Sequence, residues 1–149
     1  MKENAQLLGI LIGGFGPAIF FGLSGILQKY STQAGISMPF YLIFVGLGVV
    51  ALGLFMQIVL PDATETSKVG LTSSFLLGIF WGMGNILVAI ALVKFSVPIS
   101  KLSPIYNINT LVVVLLGLFF FAEWKEVEST KLLLGTCLII AGSLLVTSS

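Results

Sequence analysis

The stretch VPISKLSPIYNINTLVVVLLGLFFFAEW (97–124), the charged link KEVES (125–129) and LLLGTCLIIAGSLLV (132–146) decide the class of this chain. A helix needs about 20 mostly apolar residues to cross a bilayer, and the runs from 98 to 122 and from 129 to 147 meet that requirement. Working outward, short charged clusters cut the remainder into three more such runs, 7–30, 38–60 and 71–94. Over 149 residues, 57% are apolar and 9% charged, and the mean hydropathy is +1.13. Soluble domains carry roughly 25% charged residues. The composition therefore predicts an all-α integral membrane protein, one five-helix transmembrane domain over 1–149, multi-pass in a plasma or inner cell membrane.

What lies outside these runs is short. The sizeable polar stretch is PDATETSKVG (61–70), which leaves no room for a soluble catalytic domain. The first run follows Lys2 but has no small-x-small cleavage site before the next polar segment, so it reads as a helix rather than a signal peptide. A lone Cys137 and the absence of histidine exclude a disulfide framework and a zinc cluster, and no cofactor or metal is expected. A net charge of +1 with dispersed lysines argues against nucleic acid. Every acidic residue lies outside the spans: Glu123, Glu126 and Glu128 in the last link, and Glu3, Asp62 and Glu65 in polar flanks. The usual intramembrane proton-relay carboxylate is missing. No nucleophile, base and orienting acid converge either, so the chain does not read as an enzyme.

Five spans place the two termini on opposite sides, and lysine placement normally tells which side is cytoplasmic. Here Lys2, Lys68, Lys125 and Lys131 fall on one side and Lys29, Lys94 and Lys101 on the other, with no arginine. Either so small a count carries little information, or the chain inserts both ways. Many transporter folds need two inverted halves around a midplane site, and this chain has no internal repeat. An antiparallel homodimer would supply the second half, ten helices in all.

The polar side chains inside the spans are few enough to weigh singly. In the first span Pro17, Phe21, Ser24 and Gln28 share one face, and Pro17 frees an upstream carbonyl, so a kink is expected there. That face points either to a pathway or to plain packing. Gly9 and Gly13 form a close-packing pair. The second span reads as scaffold, with Met38, Pro39 and Tyr41 opening it at the interface, where tyrosine commonly anchors. In the third span Gly78, Trp81, Gly82 and Asn85 share a face near its middle. A tryptophan at that depth is not easily an interfacial anchor, and an asparagine in hydrocarbon must find a partner, either another helix or a polar cavity. In the fourth, Ser103, Tyr106, Asn107 and Thr110 fall within a sector of about 100°, and Pro104 loosens the same segment. Such a stripe is hard to bury against lipid. Lys101 lies one turn inside; it either snorkels to the headgroups or serves as a counter-ion. The small residues of the fifth span, Gly135, Cys137, Ala141, Gly142 and Ser143, suit a tight helix contact, dimeric or intrachain.

WGMGN (81–85), VPISKLSPIYNINT (97–110), LLGLFFFAEWKEV (115–127) and LLLGTCLIIAG (132–142), taken in order, resemble the drug/metabolite transporter superfamily, specifically one five-helix EamA-like unit. The corner at Ala122, Glu123 and Trp124 closing a long helix before a short glycine-containing final one belongs to that pattern. The first two spans match in pattern only. The run from Trp81 to Trp124 is also similar to the bacterial glucose/ribose-uptake branch, which hints at polyols. The last span is similar to small multidrug resistance proteins, but those have four spans and a membrane glutamate in the first, where this chain has Ser24 and Gln28. Most superfamily members have two fused repeats, so the resemblance implies a half-transporter completed by a homodimer or by a separately encoded homologous half.

Together these readings predict a carrier of a small polar metabolite, sugar-like, nucleoside or amino-acid-like, working by alternating access amid membrane lipid. Its substrate-binding residues would be Ser24, Gln28, Trp81, Asn85, Lys101, Ser103, Tyr106, Asn107 and Thr110. The competing readings are a lipid-linked sugar flippase, which needs a lateral opening, and a non-transporting membrane protein whose polar stripe binds a partner protein.

Overall fold

The computed structural model describes residues 7–61, 66–125 and 127–147, and among them every regular element is helical. Lys2, Glu3, Asp62, Glu65 and Glu126 lie outside the described residues. Five helices are long and apolar enough to cross a membrane, Leu7–Gln33, Met38–Val59, Lys68–Lys94, Ile99–Phe120 and Ser129–Val146. By internal packing the chain falls into two compact units, Met1–Ser96 and Val97–Ser149.

The first unit holds α1 (Leu7–Gln33), α2 (Met38–Val59) and α3 (Lys68–Lys94). α1 does not break at Pro17; it widens before it. Leu11–Phe15 form a π turn, closed by the Gly16 N–H donating to the Leu11 carbonyl. Proline lacks an N–H, and its ring crowds the carbonyl four residues back, here that of Gly13. A π turn immediately upstream is one way a helix absorbs such an insult. At the far end Ala34 N–H donates to Tyr30 O at 3.0 Å, and Gly35 at φ +85° turns the chain out of the helix, three residues beyond the expected end at 30. Glycine reaches that left-handed conformation without a Cβ penalty. α2 opens with Pro39 in its first turn, where the missing N–H costs nothing. α3 begins earlier than its apolar pattern, at Lys68, because Ser67 caps it by accepting the Gly70 N–H at 3.0 Å. Within the unit α3 packs against both α1 and α2.

The second unit contains α4 (Ile99–Tyr106), α5 (Asn109–Phe120) and α6 (Ser129–Thr147). The span expected as one helix over 98–122 is interrupted at Asn107–Ile108. Pro104 withholds the bond that Ser100 O would accept. Just beyond it the ladder tightens: Ile108 N–H donates to Ile105 O at 3.0 Å, Thr110 N–H to Asn107 O at 3.0 Å and Leu111 N–H to Ile108 O at 2.9 Å. Such three-residue bonds satisfy the backbone while abandoning the α-helical register. α6 packs against α4 and α5. Its Thr136 and Ser143 are buried, each hydroxyl donating to a carbonyl one turn back, Leu132 O at 2.8 Å and Ile139 O at 2.9 Å.

Between α5 and α6 the chain turns through Ala122 at φ +54° into a short 3₁₀ turn, Glu123–Lys125. The Glu123 carboxylate folds back over Gly117, so close that a Cβ there would sit 2.7 Å from Oε2. Gly117 thus leaves the space the corner occupies. Most large apolar side chains of the five helices remain exposed within the chain, which suits hydrocarbon rather than water.

Ser67→Ala should destabilise the protein by about 1 kcal/mol, whereas Ser67→Asp, which can accept the same bond, should retain most of the stability. Denaturant titration in mixed micelles measures it; an unchanged midpoint for Ser67→Ala would show that the cap contributes nothing.

Candidate functional site

The first unit holds a half-open cavity of about 340 Å³, at the lower end of the range of small-ligand sites. α1 contributes Ser24, Leu27, Gln28 and Ser31, the turn contributes Ile36, α2 contributes Tyr41, Phe44 and Val45, and α3 contributes Trp81 and Asn85. Ser24, Gln28, Trp81 and Asn85, expected at a binding site from their positions in the first and third spans, line this one cavity. Pro17 and Phe21, on the same stripe of α1, do not line it.

Asn85 joins the three helices. Its side-chain Nδ2 donates to Trp81 O at 2.9 Å within α3, its Oδ1 accepts from the Tyr41 hydroxyl of α2 at 3.3 Å, and its backbone carbonyl accepts from Gln28 Nε2 of α1 at 3.0 Å. The Asn85 side chain spends one donor locally and one acceptor across to α2, so one N–H stays available to the cavity. Gln28 is buried at 8% exposure yet keeps its Oε1 and a second N–H. No buried side-chain nitrogen or oxygen among the described residues lacks a partner. Ser24 donates to Phe21 O at 2.9 Å, leaving its oxygen to accept. Trp81 is 47% exposed and offers a broad indole face.

Tyr41 corrects the sequence reading. It stands in the first turn of α2, but at 4% exposure it points inward and bonds Asn85 rather than anchoring at an interface. The second span is accordingly more than scaffold, since Tyr41, Phe44 and Val45 form one wall. The recoverable signal was spacing: Tyr41, Phe44 and Val45 follow i, i+3, i+4 and so share a face.

The remaining expected residues lie in the second unit. Ser103 and Tyr106 are on α4, Asn107 caps its end with its N–H donating to Ser103 O at 3.2 Å, and Thr110 is the second residue of α5. The continuous stripe drawn on one regular helix is therefore split, because the α-helical register is lost between Tyr106 and Asn109. Tyr106, Asn107 and Thr110 are exposed within the chain. Lys101 sits in the first turn of α4, part-exposed, its N–H donating to Pro98 O at 3.0 Å. Among the described residues an ion pair joins Lys131 to Glu128 at 2.8 Å, exposed and worth little.

The geometry distinguishes two kinds of coupling. Tyr41→Phe and Asn85→Leu remove the two ends of one side-chain bond, and a double-mutant cycle should give a coupling of about 0.5–1.5 kcal/mol. Gln28→Leu and Asn85→Leu should be additive, because Gln28 bonds a backbone carbonyl that survives the substitution. Strong coupling in the second cycle, or none in the first, would overturn the arrangement. No protein-family model matches this chain, nor does any curated protein or solved structure, so the role of the cavity rests on its own chemistry.

Proposed function

We propose that this chain is a half-size carrier for a small polar solute, working by alternating access as an antiparallel homodimer or beside a separately encoded homologous half. The cavity of the first unit is the observation that carries the reading: amide and hydroxyl groups from three helices around an indole face, near the middle of α3. Trp81 would stack on the solute, and Gln28, Asn85 and Ser24 would hydrogen-bond it. A solute donor that takes up Asn85 Oδ1 competes with the Tyr41 hydroxyl for it, and so with the side-chain bond that ties α2 to α3. Binding and helix movement would then be linked through the same atoms, as a carrier requires.

In the second unit, the side chains around the Asn107 break are proposed as further solute contacts, since Tyr106, Asn107 and Thr110 stay exposed within the chain where a regular helix is interrupted. The near-even lysine distribution supports insertion in both orientations.

Asn85→Ala and Asn107→Ala should each abolish solute uptake into proteoliposomes while the oligomer survives cross-linking. Full uptake by both variants would refute the assignment. With Cys137 replaced and a cysteine added after Ser149, about half of the copies should label from outside intact cells. Labelling of all or none would mean a fixed orientation and rule out the antiparallel homodimer.

A further inference from the structure

Taking the cavity of the first unit as the substrate site, we infer that its ligand is uncharged and carries hydrogen-bond donors and acceptors together, as hydroxyl or carboxamide groups do. Two observations converge. First, among the described residues no Asp, Glu, Lys, Arg or His lines the cavity, and Lys29, next in sequence to Gln28, is not among the lining residues. Trp81 is the midpoint of Lys68–Lys94, and the cavity runs from there to Ile36 in the turn between α1 and α2, so its inner end lies at the depth where a charge without a counter-charge is most costly. An ion bound there would lose water and gain no opposite charge.

Second, the hydrogen-bonding capacity left in the cavity is two-sided. After the bonds already formed, donors remain on Gln28 Nε2 and Asn85 Nδ2, and acceptors remain on Gln28 Oε1, Tyr41 Oη and Ser24 Oγ. A carboxylate or phosphate only accepts, and would leave those acceptors facing its oxygens. An ammonium only donates, and would leave the amide N–H groups unmatched. A hydroxyl or a carboxamide both donates and accepts, and can satisfy both sets. The wall of Phe44 and Val45 and the indole of Trp81 then cover the apolar part of the same molecule.

The test uses purified full-length protein in nanodiscs, equilibrated with an equimolar mixture of small polyols and carboxamides, their carboxylate and phosphate analogues, and their amine analogues. Compounds retained after rapid desalting are identified by mass spectrometry, with Asn85→Leu protein as background. Neutral members should be retained at least about tenfold over charged analogues of the same skeleton, a difference of about 1.4 kcal/mol. Gln28→Glu, which places a carboxylate in the cavity with little change of shape, should shift retention toward the amines by a similar factor. Preferential retention of anions or cations by the unmodified protein, retention of nothing, or an unaltered neutral preference in Gln28→Glu would each overturn the inference. Neutral retention without uptake into vesicles would instead refute the carrier reading and leave the ligand class standing.

Discussion

An amide in hydrocarbon has no water to bond, and the packing of the first unit follows from where Asn85 finds its partners. The side chain bonds Trp81 O on its own helix and the Tyr41 hydroxyl on α2, while its backbone carbonyl receives Gln28 from α1. Hydrophobic driving force cannot distinguish helix neighbours in lipid, because tails and leucines are equally apolar. Directional bonds can. Two such bonds, from α1 and from α2 to one residue of α3, select which faces of the helices meet, and they turn polar groups toward a shared cavity instead of toward lipid.

Serine and threonine behave differently from the amides. Ser24, Thr32, Thr72, Thr136 and Ser143 each donate to a carbonyl three or four residues back on their own helix. A short hydroxyl can always satisfy itself this way, so its presence in a span says little about a site. Glutamine and asparagine carry more donors and acceptors than one backbone carbonyl can use. Their surplus must go to another helix or to a ligand, which is why Gln28 and Asn85 define the cavity while Thr136 is satisfied along α6.

The two prolines that lie beyond the first turn of a span, Pro17 and Pro104, are accommodated in opposite ways. Upstream of Pro17 the helix widens into a π turn and continues, whereas beyond Pro104 it tightens into three-residue bonds and restarts. The neighbours explain the difference: Gly13, Gly14 and Gly16 let the backbone swell without side-chain crowding, while around Pro104 the branched Ile105 and Ile108 and the turn-favouring Asn107 end α4. Both solutions keep the backbone bonded, as a membrane demands. At the other end of α5, Gly117 and Glu123 show a third use of local geometry, a carboxylate laid over a helix where a side chain is absent.

By itself the sequence predicted an all-helical chain with five helices long and apolar enough to cross a membrane, and among the described residues it placed their ends to within a few residues. Apolar length and charge punctuation are one-dimensional properties, legible without neighbours. It also singled out Ser24, Gln28, Trp81 and Asn85, because amides and a mid-span indole are anomalous in hydrocarbon wherever they occur. Tertiary structure alone decided that these four share one cavity and that Tyr41 belongs with them rather than at an interface. It likewise showed that the stripe from Ser103 to Thr110 is divided by a break. A tyrosine near a helix end suits an interface or a polar core equally well, and only the position of Asn85 on the facing helix chooses between them.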